Sequence, residues 1–138
     1  NVDEVGDVPS TCDSEFLITV TNLNKGGGKR RSAGYGKKSI DLAAPGTQIN
    51  STVPGNGFMV RTGCSYAAPH VSGGIALLHS LASVEFANLA RKKPKRSAQI
   101  MRDTLLNNVT KSRNLTQYTK TGGYLNLIKP ANKLMNYK

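Results

Sequence analysis

A serine hydroxyl attacks a carbonyl only when a base takes its proton and hydrogen-bond donors stabilise the oxyanion that follows. One serine of this chain stands where part of that support is built in. Ser65 lies in the stretch Gly63-Cys64-Ser65-Tyr66-Ala67-Ala68-Pro69-His70-Val71-Ser72-Gly73-Gly74, which reads as a sharp turn running into a helix of small residues. At a helix N-terminus the Ser65 N–H is free, and the macrodipole favours developing negative charge. Gly63 is expected to let the turn tighten and a substrate backbone come close. A base is harder to find. His70 lies five residues on, about 140° around a helix, and so points away from Ser65. His79, about two turns farther along, is expected to be packed or solvated rather than catalytic. An isolated serine before a helix would be read as an N-cap.

The elements that must hold this turn are legible on both sides of it. Residues 16–21 (Phe-Leu-Ile-Thr-Val-Thr) are short, β-branched and apolar on both faces, as in a covered parallel strand. Residues 39–44 form a second candidate strand, stopped by Pro45-Gly46. Residues 47–54 read as a third, ending in Pro54-Gly55-Asn56-Gly57, and residues 58–61 then bring the chain to Gly63. The helix after Ser65 carries Pro69 early, then Val71, Ile75, Leu77, Leu78 and Leu81. Glycine inside a helix costs about 0.5–1 kcal/mol relative to alanine. The Gly73-Gly74 pair therefore implies close approach of other backbone and a helix buried on most sides. Residues 83–90 extend that helix or follow it separately, Ser97 is a candidate N-cap for a helix over 98–106, and a last helix is expected over about 127–135. Residues 1–11 read as an irregular loop, broken by Gly6 and Pro9.

The 63–74 stretch closely resembles the serine-nucleophile motif of the subtilisin-like serine proteases, the subtilases. Asp41-Leu42-Ala43-Ala44-Pro45-Gly46 resembles the structural Asp-x-x-Ala-Pro-Gly segment of that family, and Ser51-Thr52-Val53-Pro54-Gly55 resembles its Ser-Thr-x-Pro-Gly stretch. Gly122-Gly123-Tyr124-Leu125-Asn126 is similar to its lead into the last helix. The resemblance implies an α/β, three-layer fold with a parallel sheet and flanking helices. A complete catalytic domain of the family is about twice this length, so residues 1–138 are expected to form the C-terminal half of a peptidase domain. Ser65 would be the catalytic nucleophile of a serine endopeptidase, forming an acyl-enzyme. Its own N–H would be one oxyanion donor, and the second, an asparagine side chain, would fall to Asn1; a frayed terminal asparagine is the competing reading. Gly63 and Cys64 would lie along the bound substrate. The family's His-Gly-Thr and Asp-Thr/Ser-Gly type motifs do not occur here, so histidine and aspartate are expected from an N-terminal half, in a separate chain or a missing portion. Asp41 belongs to the structural segment and is not assigned to a triad. Cys64 departs from the family's threonine; a thiol is the weaker donor, and with no base in view it is not expected to be the nucleophile.

The 19 Lys and Arg against 8 Asp and Glu give a net charge of +11, which favours acidic partners without specifying one. Much of it sits in residues 25–31, whose glycines suggest a mobile loop, and in residues 91–96. Neither run is interleaved with aromatics, so nucleic acid is not an expected partner; polypeptide substrate is. No apolar run is long enough to span a membrane. Asp3, Glu4 and Asp7 are calcium-type ligands at a spacing that fits no recognised calcium loop. No cofactor or metal is required, and a structural calcium ion is left open. The two cysteines, Cys12 and Cys64, could pair in an oxidising compartment. Secretion or another extracytoplasmic location is the expectation, although sequons such as Asn50-Ser51-Thr52 arise by chance too often to decide it. Two other readings stay open: a subtilase-like binding or regulatory module without catalysis, and a basic interaction domain.

Overall fold

Segments rich in β-branched and small apolar residues align side by side in the computed structural model, which describes residues 1–138. β1 (Val20–Leu23) pairs in parallel with β2 (Leu42–Pro45), Val20 opposite Leu42 and Leu23 opposite Pro45. Helices and a hairpin intervene before the sheet resumes: α2 (Cys64–Leu81), α3 (Val84–Lys92) and α4 (Pro94–Leu106) follow the β3 (Ile49–Val53) and β4 (Gly57–Arg61) hairpin. β5 (Thr110–Lys111) and β6 (Gly123–Tyr124) then complete a four-stranded sheet of order β1-β2-β6-β5. β6 runs parallel to β2, while β5 is antiparallel to β6. The short α1 (Val2–Val5) opens the chain and α5 (Ile128–Met135) closes it. The architecture is mixed α/β, with a parallel sheet and flanking helices.

One apolar core joins these elements. Leu42 and Ala44 of β2 meet Ala67, Val71 and Leu78 of α2, and Phe86, Met101, Leu105 and Leu134 extend the cluster through α3, α4 and α5. Complete burial of a Leu or Phe side chain stabilises by about 1.5–3 kcal/mol. Phe86, Leu42, Leu78 and Leu105, all fully buried, therefore join α2, α3 and α4 in one core with the sheet. A buried polar knot fixes the start of β2. Asp41 accepts from the Thr19 N–H at 2.9 Å and from Arg102 Nη2 at 3.3 Å, and its own carbonyl receives the Thr121 N–H and hydroxyl.

Several sequence expectations need correction. The first strand begins at Val20, because Phe16 and Leu17 lie in a turn where Phe16 is exposed. Residues 2–5 are helical, with Asn1 as N-cap. Ser97 does not cap α4, which starts three residues earlier with Pro94 in its first turn; the Ser97 hydroxyl donates back to the Pro94 carbonyl. Of the two readings of residues 83–90, the separate helix holds: it is α3, capped by Ser83 accepting from the Phe86 N–H and running on to Lys92. The glycine-rich run is not loose: Asn24 Oδ1 accepts from the Gly26 and Gly28 N–H groups, and Leu23 bridges to Lys29. Finally, α2 is not buried on most sides. Ala67, Val71, Gly74 and Leu78 face the core, whereas Ser72, Gly73, Ala76 and Leu77 are exposed. Gly74 is close to Leu127, but an alanine methyl at Gly73 would meet nothing within 4 Å.

Candidate active site

Ser65 is mounted by a junction at the ends of β1 and β2. Gly46 follows β2, and its carbonyl receives two donors, the Gly63 N–H at 2.9 Å and Asn22 Nδ2 at 3.0 Å. The Thr47 hydroxyl in turn donates to Asn22 Oδ1 at 2.9 Å. Only a glycine permits this approach: a methyl at Gly46 would lie 2.6 Å from the Gly63 carbonyl oxygen and 3.0 Å from Ala67 Cβ. Gly63 itself differs from expectation. Its φ of 167° is ordinary extended backbone, and a methyl there would make an unstrained 3.5 Å contact with the Tyr66 ring. The turn is tight because of Gly46, which leaves the outer side of Gly63 open.

From this junction the chain enters α2 with Cys64 half-buried and Ser65 exposed. Tyr66 N–H bonds to the Gly63 carbonyl at 3.1 Å, while neither the Ser65 N–H nor its hydroxyl has a partner within the chain. Pro69 lies inside the helix and has no N–H to give to the Ser65 carbonyl four residues back. An exposed hydroxyl and an adjacent free N–H at the positive end of an 18-residue helix are thus presented together. This arrangement stabilises negative charge on a bound acyl group. It does not by itself remove the serine proton.

Neither histidine does so. His70 Nδ1 contacts the Tyr66 carbonyl at 2.8 Å, within its own helix, and the His79 ring sits against Phe86 with centroids 5.9 Å apart. Asp41 is engaged with Thr19 and Arg102, consistent with a structural role. Asn1 is exposed; its side chain accepts from the Asp3 N–H and donates to Glu4 Oε1, and no hydrogen bond joins it to Ser65 or Cys64. The segment after Asn1 is nevertheless well anchored. Val2 N–H donates to the Tyr35 carbonyl at 2.8 Å, and the Asp3 carboxylate accepts from the Lys38 and Ser39 N–H groups. Burial pushes the Asp3 pKa up, but these backbone donors outweigh it and hold the carboxyl below its ordinary value.

Lys29 is a residue whose role sequence reasoning missed. Its ammonium donates to the carbonyls of Arg30, Arg31 and Ala33 at 2.8, 3.2 and 2.9 Å, and lies 4.9 Å from the Tyr35 ring centroid and 5.3 Å from that of Tyr118. Burial lowers its pKa below the ordinary lysine value. Lys29 therefore organises the basic loop. The Asn24 turn was the available signal, since asparagine before glycines favours a hydrogen-bonded local turn. The two cysteines are free thiols, so the Cys12–Cys64 bridge considered from sequence is not formed. The three acids of the first segment do not converge on a metal: Asp7 accepts from the Ser10 hydroxyl, while Asp3 and Glu4 take the partners named above. No helix is long and apolar enough to cross a membrane.

The chain has known relatives. The chain is similar to Subtilisin-like protease 2 of Plasmodium falciparum (isolate 3D7), 37% identical over 73 residues, which is 53% of this chain and 5% of that protein. The Major intracellular serine protease of Bacillus subtilis (strain 168) is 42% identical over 78 residues, or 54% of this chain and 23% of that one. Among solved structures, the Prenylagaramide maturation protease PagA superposes with a TM-score of 0.69 at 25% identity, over 92% of this chain and 45% of PagA. The chain therefore spans less than half the length of each of these relatives. Location does not follow from the likeness, because one of them is intracellular by name. With a family model for the Subtilase family matching residues 2–124, the chain belongs to the subtilases, a family of serine proteases.

Proposed function

We propose that this chain carries the nucleophile of a serine endopeptidase, with Ser65 attacking the scissile carbonyl to form an acyl-enzyme. The carrying observation is the exposed, unpartnered Ser65 hydroxyl and N–H at the head of α2, held by the Gly46–Gly63 contact. The Ser65 N–H stabilises the oxyanion, and the Asn1 amide is the second donor once it turns from Glu4 towards the substrate. Gly63, free of close neighbours on its outer side, and Cys64 bound the substrate path. Histidine and aspartate come from an N-terminal half of the catalytic domain, because both histidines of this chain are turned to other contacts. The exposed Ser72, Gly73, Ala76 and Leu77 face of α2 supports that assignment: an apolar and small-residue surface beside the nucleophile is suited to cover by another layer. The partners are thus a polypeptide substrate and that N-terminal half.

Treating the complete protein with a fluorophosphonate probe, followed by peptide mapping, tests the proposal. Ser65 is expected to be labelled, and Ser65→Ala to abolish both labelling and peptide hydrolysis, while the 138-residue chain alone hydrolyses nothing. An unlabelled Ser65 in the complete protein would leave the second reading, a catalytically silent subtilase-like module, which the replacement of the family threonine by Cys64 favours.

A further inference from the structure

Away from Ser65, the pairing of β2, β6 and β5 brings together cations that are far apart in sequence. Lys37, Lys111, Arg113 and Lys120 line one cleft of about 460 Å³. No carboxylate and no apolar side chain lines it, and Ser112, Thr116 and Thr121 add hydroxyls. All four cationic residues are exposed, on fixed backbone. The fixing is visible in the hydrogen bonds. Lys120 N–H donates to the Ile40 carbonyl at 2.6 Å, Gly36 N–H to Tyr118 at 3.0 Å, Ser112 N–H to Gly122 at 3.0 Å, and the Lys111 ammonium reaches the Thr121 carbonyl at 2.6 Å. An adjoining cavity of about 330 Å³ shares Lys111, Lys120 and Thr121; its acids are Asp41, already paired with Arg102, and Asp103. The unopposed positive charge is therefore on the Lys37 and Arg113 side.

Four like charges converging on a concave space repel one another and focus the field on whatever anion enters. A cleft of this volume suits a small molecule. It offers no aromatic platform on which bases could stack, and no apolar pocket to anchor a peptide side chain. We propose that this cleft binds a compact oligo-anion, a molecule bearing clustered sulfate or phosphate esters on a hydroxylated, non-aromatic scaffold. Lysine and arginine donate charge-assisted hydrogen bonds to the ester oxygens, and the serine and threonine hydroxyls bond the scaffold. The site is distinct from the basic runs at residues 25–31 and 91–96, and it does not depend on the reaction assigned to Ser65.

Calorimetric titration of the complete protein with tripolyphosphate and, separately, with a fully sulfated disaccharide tests it, at about 50 and 200 mM salt. At least one probe is expected to bind saturably and more weakly at the higher salt, and the tighter of the two identifies the ester. Arg113→Ala with Lys120→Ala should weaken that binding about tenfold or more. Lys92→Ala with Lys93→Ala, which removes equal charge at the exposed end of α3, should change it by less than about twofold. All variants are first checked for wild-type melting. Equal losses in both pairs, no saturable binding of either probe, or tighter binding of a single-stranded oligonucleotide than of both probes would overturn the proposal.

Discussion

At the scale of single residues, the position of Ser65 depends on an atom that Gly46 lacks. A methyl at Gly46 would press on the Gly63 carbonyl at 2.6 Å, and that neighbour is backbone, which cannot swing aside. Gly46→Ala is therefore expected to destabilise the complete protein by about 1–3 kcal/mol. It should also slow fluorophosphonate labelling of Ser65, because the turn that yields is the one bearing the proposed nucleophile. Gly63→Ala provides the contrast. Its methyl makes an unstrained contact and its backbone is extended, so folding stability should change by less than about 0.5 kcal/mol. Any loss it causes should appear in substrate hydrolysis alone. Equilibrium denaturation of the two variants beside their labelling rates separates these outcomes; a destabilised Gly63→Ala with an unaffected Gly46→Ala would reverse the assignment.

At the scale of elements, the Asp41–Arg102 pair ties the start of β2 to α4. Removing one partner of a buried ion pair leaves the other uncompensated, at a cost of about 3–5 kcal/mol. Arg102 keeps some exposure, with its side chain 21% accessible, so Asp41→Ala should cost about 3 kcal/mol, read as a shift in denaturation midpoint. The α1 anchor behaves differently because it titrates. Asp3 has its folded pKa held below the reference value of 3.8 by the Lys38 and Ser39 N–H groups. A depressed carboxyl pKa contributes stability above the unfolded value, and that contribution is lost as pH falls through the folded one. Asp3→Asn should thus cost about 0.5–1 kcal/mol at neutral pH, solvent screening included. Wild type and variant should converge as the pH is lowered below 3.8; a gap that persists in acid would mean the carboxylate charge is not what anchors the segment. These elements also show what was legible beforehand. β2, β3 and α2 were readable because Gly46, Pro54-Gly55 and Gly63 punctuate them, and the motif around Ser65 named the family, whereas β4 was not read as a strand. The start of β1 was not readable, because Phe16 and Leu17 continue the apolar run yet make other contacts than strand pairing: the Leu17 carbonyl accepts from Arg102 Nε, and the Phe16 ring lies 5.9 Å from the Lys95 ammonium. Ser97 likewise has a cap's chemistry but lies within α4, where Pro94, needing no donor of its own, begins the helix. Lys29 was hidden because its role comes from three carbonyls and two rings that only the folded loop assembles.

At the scale of the whole molecule, only 28 of 138 residues are buried, and Leu77, Leu81, Phe58 and Val60 are exposed, so much of the apolar surface is without cover from this chain. The two glycines of α2 divide along that boundary. Gly74 faces Leu127, inside, whereas Gly73 faces outward with free space around it. The sequence suggested close approach of other backbone to both; within this chain it applies to neither in full, since the neighbour of Gly74 is a side chain. This gives the proposed N-terminal half a sharp test. If the outer face of α2 were open to water in the complete protein, Gly73→Ala would stabilise it by about 0.5–1 kcal/mol, the ordinary gain of alanine over glycine inside a helix. If another layer packs there closely enough to require glycine, the added methyl should instead cost about 1–3 kcal/mol through overpacking. The expected result in the complete protein is destabilisation, with slower Ser65 labelling because α2 carries the proposed nucleophile at its head. Stabilisation with unchanged labelling would place Gly73 in solvent and remove the covering layer from the account of this active site.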